Sequence, residues 1–459
     1  MNRRAFLAQT TTALAAGATA SLWAASSGPT AASGAMKPPA FFNRFPACTD
    51  FEAVVPIVRI ATNRIIHRFF DTSPISPSGR YVALFRLPNE VRTPQPGESG
   101  DVVLVDLETA QERVVAQSRG WETQMGANVQ WGATDADLFF NDVDPATWTP
   151  FAVQLNPVTG AKRRIECTVF TVSPDGKFLT SYNLITSRRI QVGYGVVLPE
   201  DRTPRNVGPV ATDGLYLTEI ATGRTRMIAS IKDIYERAVP SIAVEHPQRF
   251  EYYLFQIRWN PQGTRVMAFL RWADPAKASP VRLLTLVTMK PDGTDIRVAV
   301  TPKQYARGGH HPMWTPDGEH ITLNLRIRDG DTAGLDIVQV RYDGADLHSI
   351  FPVGSGHPSM HPTRPFLITD AYHTEPVTRG DGTAPLRLID LRSKRETVIA
   401  QVRARRSDSG KLTSEFRIDG HPVWDKSGRY VVFNGVHNDT RSVFIADLGA
   451  WLEKAAAGG

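Results

Sequence analysis

The sequence has little of what marks several large classes of protein. Its 459 residues include only two cysteines, Cys48 and Cys167, so at most one disulfide can form, and the sequence leaves open whether the two thiols meet. No segment beyond the N-terminal region approaches the length of an apolar membrane span. With 42% hydrophobic and 21% charged residues, the chain lacks the signature of disorder and can bury a substantial core. We therefore expect a folded globular protein.

Two further absences narrow the possible functions. There is no long run of Lys or Arg and no recognisable nucleic-acid motif, although the formal net charge is +6. A basic surface favours an anionic partner, and we expect an anionic glycan and no nucleic acid. There is also no GxSxG nucleophile elbow and no α/β domain after the last repeat, which argues against a prolyl-oligopeptidase-like enzyme.

The N-terminal region has the pattern of a twin-arginine export signal. Arg3 and Arg4 precede a weakly apolar run rich in Ala and Thr, and small residues follow near Ala24 to Ser27. A membrane anchor is the alternative, but the run is short and is interrupted by Thr and Gly. We predict a signal peptide over residues 1–27, a linker over 28–52 and one domain over 53–459, in a protein that is periplasmic or secreted.

What the sequence does contain is an internal repeat. Three segments share a His-Pro pair, a turn position seven residues later and then an apolar run: HPMWTPDGEHITLN from His311, HPSMHPTRPFLITD from His357 and HPVWDKSGRYVVFN from His421. The same turn pattern recurs earlier, in SPISPSGRYVALF, QWGATDADLFF, TVSPDGKFLTSY and RWNPQGTRVMAFL. Seven related units along one chain indicate a repeat architecture.

Most units continue into a second hairpin, as in VVLVDLETAQERVV and LYLTEIATGRTRMI, where alternating apolar residues flank a polar turn. Each unit therefore holds about four strands, and the sequence predicts an all-β fold, a seven-bladed β-propeller of four-stranded antiparallel blades. The last unit ends at SVFIADL without an outer strand. We predict that the segment from Val54 to Ile60 supplies this strand and closes the ring.

The aligned repeats place one column of residues seven positions before each turn. The column contains Thr72, Asn128, Val169, Gln256, His311, His357 and His421. Because a fixed offset faces or rims the channel in every blade, we expect the last four side chains to converge there. Three imidazoles and an amide oxygen are suitable ligands for a divalent metal ion such as Mn or Zn. The alternative is that each His-Pro pair only caps a strand, and His310 is expected to point elsewhere.

Other candidates lie on loops that we expect near the same end of the channel. Two inserts, residues 183–213 and 230–253, are too long for plain turns and are expected to overhang the channel mouth, the second with a short helix in IKDIYERAV. Six residues on these and other loops are candidates for catalysis: His67, Arg188, Arg189, Tyr194, and the pair His437 and Arg441. Tyr and His suit proton transfer, and Arg suits forked recognition of a carboxylate or sulfate. A purely structural role for each is the alternative.

These segments resemble the seven-bladed propeller polysaccharide lyases, a group that includes oligogalacturonate lyases and ulvan lyases. The resemblance runs from HRFFDTSPISPSGRYVAL through WNPQGTR to GHPVWDKSGRYVVFNGVHNDTR. It implies cleavage of a uronic-acid-containing glycan by β-elimination and, as in oligogalacturonate lyases, a manganese ion held by three histidines and a glutamine. In those enzymes the glutamine and two of the histidines share one motif, whereas here they are dispersed.

The ulvan lyases suggest a different distribution of roles. The resemblance of this chain to them implies acid-base catalysis by His and Tyr and an Arg that neutralises the substrate carboxylate. The possible counterparts in this sequence are His67, Tyr194 and the pair Arg188 and Arg189. TolB-like propellers share the PDG-type turns, so a non-catalytic propeller that binds a protein or a glycan in the periplasm is the alternative prediction. Both a monomer and a dimer agree with the sequence.

Overall fold

The computed structural model describes residues 40–457, except for 192, 277–282, 331–333, 374 and 409–413. Its strands form seven four-stranded antiparallel sheets, and in all but one of them the four strands follow one another along the chain. The predicted all-β, seven-bladed propeller is confirmed. The predicted signal peptide, residues 1–27, lies outside the described residues.

The blades are numbered along the chain, each from its innermost strand outward. Blade 1 contains β2 (Ile65–Ile66), β3 (Tyr81–Arg86), β4 (Gly100–Asp106) and β5 (Glu112–Ser118). Blade 2 contains β6 (Gln130–Trp131), β7 (Leu138–Val143), β8 (Pro150–Leu155) and β9 (Lys162–Ile165). Blade 3 contains β10 (Thr171–Val172), β11 (Phe178–Tyr182), β12 (Gly214–Glu219) and β13 (Thr225–Ser230).

The next three blades repeat this order. Blade 4 contains β14 (Glu251–Trp259), β15 (Val266–Ala273), β16 (Leu283–Met289) and β17 (Arg297–Val300). Blade 5 contains β18 (Gly309–Trp314), β19 (His320–Leu325), β20 (Asp336–Arg341) and β21 (His348–Phe351). Blade 6 contains β22 (Ser359–Met360), β23 (Phe366–Thr369), β24 (Thr383–Asp390) and β25 (Arg395–Arg403).

Blade 7 is built from both ends of the propeller. Its strands are β26 (Val423–Trp424), β27 (Tyr430–His437), β28 (Thr440–Asp447) and, at the outer edge, β1 (Ile57–Ala61). β1 pairs antiparallel with β28, with Ile57 opposite Ala446. The closing strand predicted for this region is confirmed, and its pairing removes the free edge that β28 would otherwise expose.

The turns that define the repeat join the first and second strands of the blades. Gly318 and Gly428 both have a φ of +71°, a conformation that costs glycine nothing and other residues about 1 kcal/mol or more. In blade 5 the amide of Gly318 donates to the carbonyl oxygen of Thr315 at 3.0 Å and closes the turn. The turns therefore end the inner strands at equivalent places and keep the repeats in step.

Two of the inner strands, β14 and β18, carry an irregularity that matters for the site. The pairing of β14 with β15 shifts register between Phe255 and Arg258, and that of β18 with β19 shifts between His310 and Met313. Four column residues have a left-handed backbone, with φ between +48° and +56°: Asn128, Gln256, His311 and His421. A bulge with such a residue re-aims a side chain. The repeat column is therefore a repeated backbone feature.

Helices are few and short in the described part of the chain. α1 (Ile231–Arg237) lies in the second long insert, as predicted, and begins with a capping box formed by Ser230 and Asp233. The other α-helices are α2 (Pro302–Tyr305) and α3 (Gly449–Ala457). Short 3₁₀ helices span Ala40–Arg44, Thr186–Arg189, Glu200–Arg202, Pro247–Arg249 and Ser414–Phe416. No helix in this part of the chain combines the length and apolar character that crossing a membrane requires.

Hydrophobic side chains fill the space between neighbouring blades. Ile368 of blade 6, for example, shares one buried cluster with Val431 and Phe444 of blade 7. Phe42 and Phe45, in the segment predicted as a linker, are buried in a cluster with residues of blades 1 and 7. This part of the segment therefore belongs to the folded unit.

The two cysteines do not form a disulfide. Cys48 and Cys167 are both free and partly buried. The fold is therefore held by sheet hydrogen bonds and by packing between blades, without a covalent link between distant parts of the chain.

Candidate functional site

The three histidines of the repeat column meet at the axis of the propeller. The ring centroids of His311 and His357 lie 3.8 Å apart with their planes 27° from parallel, so the two rings stack. His357 and His421 contact edge to face, at a centroid distance of 4.4 Å. Because these residues come from blades 5, 6 and 7, the closure of the ring brings them together.

A buried segment between β2 and β3 forms a floor against the histidines. Phe69 and Phe70 are fully buried; Phe69 contacts the ring of His421 at 4.5 Å, and Phe70 contacts that of His357 at 5.3 Å. His357 and His421 are 0% and 1% exposed, whereas His311 is partly exposed. The floor of the site is therefore shielded from solvent. The side of the site at His311 is open to solvent.

His357, Asp419 and His421 form the group that fits a metal ion. One ligand atom of each residue lies within 4.8 Å of the other two. Among the described residues, Nε2 of His357 and both ring nitrogens of His421 have no hydrogen-bond partner, although all three atoms are buried. Buried polar atoms are rarely left unpaired, and two imidazoles with a carboxylate are suitable ligands for Mn or Zn. These residues therefore fit a divalent ion.

A second carboxylate orients one of these histidines. Oδ1 of Asp370 lies 2.9 Å from Nδ1 of His357, and because a carboxylate only accepts hydrogen bonds, Nδ1 carries the proton. In the neutral imidazole the lone pair is then on Nε2, the atom without a partner. This is the arrangement in which a histidine is ready to bind a metal through Nε2.

His311 lies outside this group and is held by other contacts. Its Nδ1 donates to the carbonyl oxygen of Gly356 at 2.6 Å, so Nε2 carries the lone pair and lies 3.4 Å from the hydroxyl of Tyr372. Burial lowers the pKa of His311 well below its usual value and raises the pKa of Tyr372 well above its own. Near neutral pH the imidazole is therefore uncharged and the phenol is protonated.

The expectation that His310 points away from the site is wrong. Its Nδ1 lies 2.8 Å from Nδ1 of His311 and 3.3 Å from the amide nitrogen of Asn324. The alternation of side chains along a regular strand does not apply here, because the left-handed backbone of His311 bulges the strand. Burial lowers the pKa of His310 to about 3, so its ring is also uncharged.

Gln256 has the left-handed backbone of His311 and His421 but a different environment. Its Oε1 accepts a hydrogen bond from Arg258 at 3.2 Å, and Arg258 forms an ion pair with Asp71 at 2.7 Å. Within the described ranges, no hydrogen bond joins Gln256 to an imidazole. The amide oxygen expected to complete the metal site is therefore engaged in holding a buried arginine.

Tyr194 lies on the first long insert and reaches an arginine beside the metal group. Its hydroxyl accepts a hydrogen bond from Nη2 of Arg417 at 3.0 Å, and Nε of Arg417 donates to Asp419 at 2.9 Å. Burial alone would lower the pKa of Arg417, but the negative charge of Asp419 more than offsets it and the pKa is raised. A partly exposed and permanently charged guanidinium therefore borders the group.

The two arginines predicted on the same insert have acidic partners. Arg188 forms an ion pair with Glu415 at 3.2 Å, and Arg189 pairs with Glu251 at 3.6 Å. Arg188 is thus tied to the segment that carries Arg417, whereas Arg189 is directed to β14. Within the described part of the chain, neither arginine forms a hydrogen bond or an ion pair with these histidines.

His67 lies close to the site, at its buried end. Its ring centroid is 6.3 Å from that of His421, and its backbone amide donates to Asn434 at 3.0 Å. Burial lowers the pKa of His67 to about 4. His67 is therefore uncharged near neutral pH and forms part of the buried floor of the site.

The structure separates His437 from Arg441 by their contacts. Nδ1 of His437 lies 2.6 Å from the carboxylate of Asp50, near the outer edge of blade 7. Arg441 donates to the carbonyl oxygens of Thr123 and Arg417, and burial lowers its pKa to about 10. The paired anion site considered for these two residues is not formed.

Four residues at the site were not predicted from the sequence: Asp370, Tyr372, Arg417 and Asp419. Two of them have a positional signal. Asp419 precedes His421 by two residues, and Asp370 follows the turn position Arg364 by six. Tyr372 and Arg417 lie in irregular segments, where no periodicity indicates which side chains turn inward.

Comparison with solved structures supports the fold. An oligogalacturonate lyase in complex with manganese is similar with a TM-score of 0.59 and 13% sequence identity, over 89% of this chain and 97% of that chain. The oligogalacturonate lyase from Vibrio parahaemolyticus is similar with a TM-score of 0.57 and 13% identity, over 88% of this chain and 98% of that chain. The resemblance to oligogalacturonate lyases is confirmed at the level of the fold. No protein-family model and no curated protein matches the sequence.

Proposed function

We propose that the protein is a polysaccharide lyase that cleaves a uronic-acid-containing, anionic glycan by β-elimination at the mouth of the propeller channel. The observation that carries this proposal is the convergence of the buried imidazoles of His357 and His421 with Asp419 and Arg417. A propeller that only binds a protein or a glycan has no need of imidazole nitrogens that are buried without partners. Buried ionisable groups of this kind cluster at catalytic sites.

The reaction itself is short. A base removes the proton from C5 of the uronate, the bond between C4 and the bridging oxygen O4 breaks, and a double bond forms between C4 and C5. O4 leaves with a proton supplied by an acid, and no water is consumed. The site must therefore offer a base, an acid and a positive charge for the carboxylate, because negative charge develops there as C5 loses its proton.

His311 and Tyr372 supply the acid-base pair in this proposal. Nε2 of His311 carries a lone pair and accepts the C5 proton, and the protonated hydroxyl of Tyr372 donates to O4. Before the reaction, the lowered pKa of His311 leaves its ring unprotonated and the raised pKa of Tyr372 leaves its hydroxyl protonated, which are the starting states that the two roles need. After product release, the proton on His311 returns to Tyr372 across their 3.4 Å contact.

Arg417 binds the substrate carboxylate in this proposal, and His357, Asp419 and His421 would hold a metal ion beside it. The charged guanidinium of Arg417 is partly exposed and recognises a carboxylate through paired hydrogen bonds. When a divalent ion, Mn or Zn, is held by His357, Asp419 and His421, it adds electrostatic stabilisation of the developing negative charge. Tyr194 orients Arg417 through their hydrogen bond.

The proposed location follows from residues outside the described part of the chain. The twin-arginine pattern at residues 1–27 indicates export of the folded protein to the periplasm or out of the cell. There the protein would encounter anionic glycans. The net charge of +6 favours such a substrate.

The test is a screen of the mature protein on pectic, ulvan and glycosaminoglycan substrates, with Mn or Zn added. Turnover is expected to appear as new ultraviolet absorbance from the unsaturated product. His357→Ala should abolish the signal while its circular dichroism and unfolding transition remain cooperative. Binding of a glycan without product from any of these substrates would instead support the non-catalytic propeller.

A further inference from the structure

The second strands of the blades contain a polar column of their own. The residues six positions after the repeat turn are Phe85, Asn141, Tyr182, Phe269, Asn324, Asp370 and Asn434. Four of the seven are polar, and all four are buried at 5% exposure or less. Polar side chains at such positions need hydrogen-bond partners, and their partners show what the column does.

Each of the three asparagines joins its own blade to the following one by hydrogen bonds. Asn141 of blade 2 exchanges two hydrogen bonds with the backbone of Val169, which leads into blade 3, at 2.7 and 2.8 Å. Asn324 of blade 5 donates to the carbonyl oxygen of Gly356, which leads into blade 6, at 2.8 Å. Asn434 of blade 7 accepts from the amide of His67 in blade 1 at 3.0 Å.

Asp370 of blade 6 occupies the same position but has only donors around it. Its Oδ1 accepts from the backbone amide of His357 at 2.7 Å and from the Nδ1 of the same residue at 2.9 Å. Its Oδ2 accepts from the backbone amide of His421, at the start of blade 7, at 3.2 Å. An asparagine would present an NH₂ group to one of these N–H donors, so the charge and both oxygens are needed.

We infer that Asp370 is the positioning residue of the histidine centre: one carboxylate holds the backbones of His357 and His421 together and fixes the side chain of His357 with its proton on Nδ1. The functional role inferred for Asp370 rests on the proposed metal site. Its geometry stands on three hydrogen bonds to two blades. No other residue in the described part of the chain bonds both histidines.

The glycines before these two histidines support the inference. A Cβ atom on Gly356 would overlap the carbonyl oxygen and Oδ1 of Asp370, and one on Gly420 would lie 2.9 Å from Oδ2. The carboxylate therefore sits where only glycine leaves room. This explains why Gly-His-Pro recurs before blades 6 and 7, next to Asp370, whereas the residue before His311 is another histidine.

The test compares Asp370→Asn with Asn141→Ala in the metal-free full-length mature protein. Titration calorimetry with manganese and with zinc is expected to show affinity about 10- to 100-fold lower for D370N, the usual effect of losing a carboxylate that orients a ligand. N141A removes the equivalent fastening on the other side of the ring. It should unfold at lower denaturant concentration but bind the ions as the wild type does.

A second measurement needs no metal. Long-range ¹H–¹⁵N spectra, with the His357 signal assigned from its absence in H357Q, report which ring nitrogen is protonated. Wild type should show the proton on Nδ1, and D370N should show a mixture or the other tautomer. An unchanged tautomer together with wild-type metal affinity in D370N would overturn the inference.

The two proposals fail in different ways. If wild type binds a divalent ion and D370N binds it weakly, but no uronate polymer is cleaved, the lyase proposal fails and the role of Asp370 stands. If wild type binds no ion, the proposed metal site fails and the tautomer comparison alone decides for or against Asp370.

Discussion

Two sides of the channel use one backbone feature for opposite purposes. On one side, the left-handed residues Asn128 and Gln256 present amide oxygens that accept from Arg68 at 3.1 Å and from Arg258 at 3.2 Å. On the other side, His311 and His421 have the same φ but present imidazoles, and both ring nitrogens of His421 have no hydrogen-bond partner among the described residues. The left-handed backbone directs the side chain towards the propeller axis. The type of residue determines whether that side chain binds an arginine or is available as a ligand.

The arginine side is closed on itself. Asp71 lies between Arg68 and Arg258, and all three side chains are at most 3% exposed. Burial would raise the pKa of Asp71, but the two guanidinium charges more than offset it and the pKa is lowered. Every charge there has a partner, which is typical of structural ion pairs. On the histidine side, Nε2 of His357 and both ring nitrogens of His421 have no hydrogen-bond partner among the described residues, and that is where ligand chemistry is expected.

The largest expected effect is on the arginine side. Asp71→Ala leaves two buried guanidinium groups without their shared carboxylate, so the free energy of unfolding should fall by about 3 to 5 kcal/mol. Denaturant titration at neutral pH measures it. The wild-type contribution is present above the unfolded pKa of Asp71 and is lost as the pH falls, because the folded-state pKa is lowered. Wild-type stability in D71A would contradict this account.

The next effect separates the two sides directly. His421→Ala removes one of the proposed ligands, so affinity for manganese should fall about 100-fold or more while the fold persists. Asn128→Ala, at the same position of the repeat and with the same backbone conformation, releases Arg68 and should lower stability without changing metal affinity. Equal losses of metal affinity in both variants would show that the two sides are not distinct.

Tyr372→Phe tests the chemistry of the histidine side. The change removes the hydroxyl that lies 3.4 Å from Nε2 of His311, so kcat on the active uronate substrate should fall about 100-fold. Metal affinity should stay as in the wild type, because Tyr372 is not in the proposed ligand group. A KM effect without a kcat effect would assign Tyr372 to substrate binding.

The last effect depends on pH and concerns a buried carboxyl that supports the loop of Tyr194. Glu122 accepts a hydrogen bond from the amide of Gly195, and burial raises its pKa to about 8. Between its unfolded value and about pH 8 the folded state keeps a proton that the unfolded state loses, so this residue destabilises the protein as pH rises.

Glu122→Gln removes that dependence. Its stability relative to wild type should grow by about 1 kcal/mol per pH unit between about pH 5 and pH 8. Urea titrations of both proteins across this range measure the difference. A constant difference would mean that Glu122 titrates normally.

The overall fold could be predicted because its signal is repeated. Seven turns at equivalent places and the missing outer strand of the last unit were enough to predict the propeller and its closing strand, now seen as β1 pairing with β28. The column of His311, His357 and His421 came from the same alignment. Periodic constraints of this kind are local and recur, so one sequence contains them several times over.

The details of the site could not be predicted, since they depend on single departures from the repeat. His310 joins the cluster because of a bulge, and Gln256 is engaged by Arg258 two residues away. Tyr372 reaches His311 from an irregular segment. None of these contacts produces a periodic pattern in the sequence.

The sequence by itself determined the number of blades, the way the ring closes and which residues stand at equivalent places, because backbone hydrogen bonding and alternating burial repeat along the chain. Only the tertiary structure decided which of those residues meet and in what state. Ring closure sets the distance between imidazoles of different blades, and burial at the axis sets their charge, so both properties belong to the assembled propeller and to no single repeat.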